Sequence, residues 1–206
     1  MPRIEPVAPP YSAALAERFS RLLPSGMAPP AIFRTVARNE SLFLHLVDSG
    51  WLGRTGMFDR GALPSALREL LILRTCAAAR NDYEWHLHVN TISARMGLSD
   101  AQIDATRDEP IWSAEERAAV TFVEPPLWTD AQLAAIALVD ALVSRLDVDD
   151  ALYARLREHY DEATLIEMTQ LVGLYVGVAM QVALARPESD DYARPVRTLS
   201  AEGSMG

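Results

Sequence analysis

Lysine is missing from the sequence altogether, and every basic residue is an arginine. With a formal charge of −9, the chain has no surplus of cations from which to build a basic face. Nucleic acid is therefore not expected as a partner, and neither is an anionic membrane surface. Cysteine occurs once, at Cys76, which excludes a disulfide within the chain and a zinc site made of several thiolates. Strand signals are lacking too: no stretch sustains two-residue alternation between turns, so a sheet has little support. The opening residues MPRIEPVAPP carry an acid and scattered prolines where a secretory signal needs an unbroken apolar run, and the expected location is the cytoplasm. The most apolar stretch, Leu171 to Ala185, is shorter than the ~20 residues that cross a bilayer and is interrupted by Gln181. It is expected to form a buried helix, in the core or at a subunit interface.

What is present suffices for a substantial core, since half of the 206 residues are hydrophobic (50%) and 23% are charged. Residues 1–30 hold seven prolines and read as an extended arm with one short helix over Ala13 to Leu23. Three- and four-residue spacing of Ile32, Val36, Leu42, Leu46 and Val47 predicts a helix, or a broken pair, from Ala31 to near Gly50 and Gly53. Arg54 to Leu63 reads as a glycine-punctuated loop. Pro64 and Ser65 open a strong helix with Leu67, Leu70, Leu71 and Cys76 on its apolar side. Asp82 is the expected N-cap of the next helix, which runs to about Met96 and closes at Gly97. Further helices are predicted from Ser99, over Glu115 to Val123, Thr129 to Leu146 and Asp150 to His159, and from Asp161 or Glu162 to Ala185. The chain thus divides into an arm (1–30), an all-α domain (31–187) and a tail (188–206) that is loose unless it docks on a neighbour. A faint echo of Leu67 to Leu73 in Leu165 to Leu171, each followed by a tyrosine, suggests two weakly related halves.

Chemistry concentrates in Asn81-Asp82-Tyr83-Glu84-Trp85-His86-Leu87-His88, which puts an acid, two imidazoles, a phenol and an indole around one helix start. Glu84 and His88 are four apart and share a helix face, so the carboxylate can orient the imidazole. The preceding helix carries Glu69, and the short turn at 80–82 folds the two helices into an antiparallel hairpin that brings this second acid towards His88. Neighbouring titratable groups of this kind push each other's pKa values apart, which proton transfer requires. Arg74 is expected either to hold an anionic substrate or to neutralise Glu69. Tyr83 and Trp85 are candidates for lining a pocket, although packing is the commoner role of such rings. His86 points away from His88 and reads as a structural or interface residue. No metal is expected: His86-x-His88 chelates on a strand rather than a helix, and Glu-x-x-x-His occurs once where a diiron site needs Glu-x-x-His on paired helices. Cys76 reads as a small buried hydrophobe, and His45 and His159 are assigned no role.

RELLILR, a short gap, YEW-x-x-H and then Gly-Leu-Ser at 97–99 together resemble the pattern of the carboxymuconolactone decarboxylase superfamily, including its alkylhydroperoxidase D relatives. The resemblance covers 31–105 well and 114–185 more weakly. It implies an all-helical bundle, a small-molecule substrate and a homo-oligomer (dimer, trimer or hexamer). In the alkylhydroperoxidase relatives a Cys-x-x-Cys precedes the histidine, and matched on spacing those cysteines fall on Asn81 and Glu84, the histidine on His88 and the glutamate of the previous helix on Glu69. The resemblance therefore implies the proton-relay residues without the dithiol. The decarboxylase branch also lacks that pair and acts on a carboxylated unsaturated lactone with no metal or organic cofactor. By this analogy Glu69, Glu84 and His88 would carry a cofactor-free lyase or isomerase reaction by proton transfer. Two other readings stand beside it: a hydroperoxide-reducing protein using Cys76 with an external thiol, and a non-catalytic helical binding or assembly protein on the same scaffold.

Overall fold

The computed structural model describes residues 1–53, 63–108 and 126–192. Among them are nine α-helices and no strand: α1 (Ala13–Leu22), α2 (Ala31–Val36), α3 (Glu40–Asp48), α4 (Ser65–Ala78), α5 (Asp82–Thr91), α6 (Asp100–Asp108), α7 (Asp130–Arg145), α8 (Asp150–Arg157) and α9 (Glu162–Ala185), with a 3-10 turn at Ser93–Arg95. The all-α expectation holds. The expected loop at 54–63, except Leu63, the expected helix at 115–123 and the tail beyond 192 lie outside the described residues.

Helix α4 is the axis of the molecule, packed against α5, α6, α7 and α9. Every residue from Arg68 to Cys76 is buried, so the helix has no solvent stripe, where the sequence spacing had suggested a single apolar side. Its apolar members join those of α7 and α9 in one large core. A second, smaller cluster of Leu15, Phe19, Ala37, Phe43 and Val47 ties α1 to α3, with the rings of Phe19 and Phe43 centred 5.1 Å apart.

The hairpin between α4 and α5 turns on Arg80, whose φ of 55° lies in the left-handed region. The residue that caps α5 is Asn81, whose Oδ1 accepts the Glu84 N–H at 3.3 Å, with Asp82 following as the first helical residue. The expected cap at Asp82 was thus one residue late, because both neighbours can cap and the left-handed Arg80 decides between them. Helix α5 is also shorter than expected: it stops at Thr91, the 3-10 turn follows, and Gly97 at φ +92° ends the segment.

Helix α9, expected to be buried in the core or at a subunit interface, is only partly buried within the single chain. It is 24 residues long, and only 33% of its most apolar window is buried. Length and composition alone would let it cross a membrane, which for one helix in a chain is weak evidence. Leu165, Met168, Leu171, Val172 and Tyr175 face the core, whereas Ile166, Met180 and Leu184 are more than 60% exposed.

The two ends of the described chain are stitched together. The Ala185 carbonyl accepts from the amides of Arg3 and Ile4 at 2.8 and 3.2 Å. Asp190 accepts the Ala31 N–H at 2.9 Å and also the Tyr83 hydroxyl, and the Tyr192 hydroxyl donates to the Ala28 carbonyl at 2.6 Å. Residues 188–192, read from sequence as loose unless docked on a neighbour, are held by Ala28, Ala31 and Tyr83 of their own chain.

Candidate active site

The antiparallel pairing of α4 and α5 sets Glu69 beside His88, and α9 closes the group from the other side with Tyr175. The His88 Nδ1 lies 3.1 and 3.3 Å from the two Glu69 oxygens, and Nε2 lies 3.1 Å from the Tyr175 hydroxyl. Ser93, in the turn after α5, donates a short hydrogen bond to Glu69 Oε1. All four residues are buried. The imidazole is therefore held at both nitrogens, by groups from two different helices.

Glu84 approaches the same ring differently. Its Oε1 is 3.7 Å from Nε2, beyond hydrogen-bond reach, and its Oε2 is buried with no hydrogen-bond partner among the described residues. The side-chain nitrogen of Asn81, three residues earlier, is also buried with no hydrogen-bond partner among the described residues. Asn81 and Glu84 are the two positions where the dithiol relatives were inferred to carry cysteines.

The electrostatics separate the two acids. Burial by itself would raise the Glu69 carboxyl, but the His88 imidazole and the hydrogen bonds from His88 and Ser93 outweigh it and hold the carboxyl below its usual range. Burial likewise works against a charged His88, and the Glu69 carboxylate reverses that effect and holds the imidazole above its usual range. At Glu84 burial prevails over the attraction of His88, and the nearby Asp190 and Glu69 add to it, so its carboxyl stays raised. The surroundings thus favour the carboxylate at Glu69 and the imidazolium at His88, and shift Glu84, on the Nε2 side, towards its protonated form. A neutral carboxyl also tolerates an unpartnered oxygen better than a carboxylate would.

The expected orienting partner and the second acid have thus changed places: Glu69 makes the direct bond to His88 and Glu84 stands off. Arg74 is a correction. It was expected to hold substrate or neutralise Glu69, yet it is 1% exposed and forms a two-pronged pair with Asp140 at 2.6 and 3.0 Å, with a further bond to the Thr106 carbonyl. Arg74 and Glu69 are five residues apart on α4, which turns them to different sides of the helix. Trp85 is also turned away, its Nε1–H donating to Thr106 at 3.0 Å and its ring lying under Arg107. The Tyr83 hydroxyl accepts the Ile32 N–H and donates to Asp190, so it serves packing rather than the His88 ring. His86 is exposed, with Nδ1 2.7 Å from the Asp82 carbonyl. Cys76 is wholly buried, and burial pushes its thiol pKa well up.

Tyr175 and Ser93 were missed from sequence. A hydroxyl-bearing ring in the middle of the apolar run of α9 was the available sign, because a buried phenol needs a partner. Arg68 was missed as well. It is nine-tenths buried next to Glu69, and its charge favours the Glu69 carboxylate and opposes that of the His88 imidazolium.

Residues 51–125 match the family model described as the carboxymuconolactone decarboxylase family. That stretch of the chain is similar to the carboxymuconolactone decarboxylase family. That segment contains α4, α5 and α6, and with them Glu69, Glu84 and His88, while Tyr175 lies outside it. The chain is also 30% identical over 127 residues to the uncharacterized protein YnjA of Escherichia coli (strain K12). That alignment covers 61% of this chain and 59% of the relative, so the chain spans little more than half the length of the curated protein it matches. No solved structure matches significantly.

Proposed function

We propose that this carboxymuconolactone decarboxylase-like protein is a cofactor-free lyase or isomerase that moves protons on a small carboxylated or enolisable substrate. The observation that supports it is the His88 ring held between Glu69 and Tyr175, with the raised carboxyl of Glu84 beside Nε2. An imidazolium in contact with a fixed carboxylate is a proton donor whose charge is already balanced, and Glu84 offers a second transferable proton within the same enclosure. In a decarboxylation of this kind the bond to the departing carboxylate breaks and its electron pair passes into the conjugated carbonyl. Carbon dioxide leaves, and a proton from His88 or Glu84 then restores the carbon–hydrogen bond. Glu69 keeps the imidazole in orientation throughout, as a positioning residue.

The reading extends to assembly: a second copy of the chain would cover the outer face of α9, where Ile166, Met180 and Leu184 stand exposed. The thiol alternative finds less support, since a wholly buried Cys76 with a raised pKa is a poor nucleophile towards peroxide.

The test is a panel of carboxylated unsaturated lactones and β-keto acids, read by carbon dioxide release and by deuterium uptake at the carbon next to the carbonyl. His88→Ala is expected to lose about a hundredfold or more of any such activity with its helical circular dichroism intact. Full activity in that variant defeats the reading.

A further inference from the structure

Two buried polar atoms at the start of α5 have no hydrogen-bond partner among the described residues: the Asn81 nitrogen Nδ2 and the Glu84 oxygen Oε2. The two residues are 3% and 7% exposed and lie three apart, which puts their side chains on one face of the helix. Folded chains rarely leave such atoms bare, because the hydrogen bonds they made to solvent are then given up with nothing in return.

Their usual partners are already taken. Asn81 Oδ1 caps α5 by accepting the Glu84 N–H at 3.3 Å, so turning the amide over would set one N–H against another. Nδ2 is thereby fixed as a donor that points elsewhere. A glutamate at the third helical position commonly reaches back to the backbone N–H of the cap, but the Asn81 N–H donates to the Cys76 carbonyl at 2.7 Å. Glu84 instead turns Oε1 towards His88 Nε2, 3.7 Å away, and Oε2 is left over.

We propose that Asn81 Nδ2 and Glu84 Oε2 together bind one internal water molecule, and that Asn81 acts through it as a positioning residue for Glu84. Both atoms are shut away from solvent, so the ligand is small. Water accepts from Nδ2 whatever the state of the acid. It donates to Oε2 when Glu84 is ionised and accepts from it when Glu84 is protonated, so it serves both states that a proton-transfer group passes through. A carbonyl oxygen would satisfy only the protonated state, and an ammonium ion would set its own donors against Nδ2. With Oε2 tethered in this way, the carboxyl is held from rotating and Oε1 stays towards the imidazole. That purpose rests on the proton-transfer reading, whereas the water site stands on the two orphaned atoms.

The test is a crystal structure of the full chain at a resolution that shows ordered water, joined to nuclear Overhauser effects between water and the Asn81 side-chain amide protons. One water within about 3 Å of both atoms is expected, with an Overhauser effect of the sign that bound water gives. Glu84→Met should lose that effect. A wild type lacking either signal overturns the proposal, as does an effect unchanged in Glu84→Met. Positioning is read from the Glu84 titration, followed by NMR at its carboxyl carbon. Asn81→Leu removes the donor and fills its place, so that titration should rise, while Asn39→Leu, which removes the equivalent cap from α3, should leave it unmoved. His88, Asp190 and Glu69 act on the Glu84 carboxyl in every variant, and Cys76, Tyr83 and Tyr175 feel its charge, so the difference reports Asn81. A Glu84 titration that ignores Asn81→Leu overturns the positioning role. If Asn81→Leu fails to fold, the comparison of wild type with Glu84→Met decides alone. A water bridging both atoms in a chain that exchanges no substrate proton would keep this site and defeat the proton-transfer reading. Deuterium uptake by a chain without that water would do the reverse.

Discussion

His88 and Glu69 meet across the α4–α5 hairpin with Nδ1 3.1 Å from Oε1, and both side chains are shut away from solvent. A buried acid and base in contact stabilise each other only while both are charged, which gives the pair a defined pH window.

Below that window the carboxyl is lost and above it the imidazolium is lost. Glu69 has a lowered folded pKa, so its contribution is complete above the ordinary carboxyl value of 4.5 and disappears as pH falls through the folded value. His88 has a raised folded pKa, so its contribution is complete below the ordinary imidazole value of 6.5 and disappears as pH rises through the folded value. Urea unfolding of the wild type and of Glu69→Gln across pH should therefore show the largest stability difference between those two ordinary values, shrinking on either side. A difference that stays flat with pH would mean that the pair is not ionised.

Tyr175 holds the opposite nitrogen of the same ring. Tyr175→Phe removes one hydroxyl and leaves the ring, so a loss of about 1 kcal/mol in stability is expected, together with a changed His88 titration by NMR. Any activity found with the substrate panel should fall as well. An unaltered His88 titration would show that the hydroxyl does not govern the Nε2 side.

Arg74 and Asp140 are a separate matter of stability. Both are buried, at 1% and 2% exposure, and removing either deprives the other's buried charge of its two-pronged partner. Asp140→Ala is expected to cost about 3–5 kcal/mol by denaturant unfolding. The double change Arg74→Met with Asp140→Leu should cost clearly less than the single one. Equal costs would mean that packing around Asp140, rather than charge pairing, sets the penalty.

The outer face of α9 carries the prediction on assembly. Light scattering of the wild type should give more than one chain per particle, and Met180→Glu with Leu184→Glu should shift it towards the monomer. Both side chains are more than 60% exposed, so the single chain should keep its helical content. A monomeric wild type at working concentration would remove the proposed interface.

How much could be read in advance follows from sequence distance and from what surrounds each residue. Glu69 and His88 are 19 apart, and a short turn between two consecutive helices was enough to bring them together on paper. Tyr175 lies 87 residues beyond His88, and nothing local announces that meeting. Arg74 was assigned wrongly because a helix buried on all sides has no polar stripe to orient it, so periodicity could not say which neighbour it faced. Asp140, the partner that settles Arg74, is 66 residues away in the otherwise apolar Leu138-Val139-Asp140-Ala141. A lone acid in such a run was the available hint. The docking of Asp190 was equally remote, since its acceptor role at Ala31 spans 159 residues.

That docking ties the fate of the last helix to the start of the chain. A nick or truncation just after Ala185 would strip Asp190 from the Ala31 amide and from the Tyr83 hydroxyl, and so strand two donors that the fold now satisfies. Tyr83 is the immediate neighbour of Glu84, so the slackening would travel into the first turn of α5 instead of staying at the edge. A bulky fusion that pulls on residues 188–192 would thereby reach the Glu69–His88 pair through the polypeptide's own clasp, without touching either side chain.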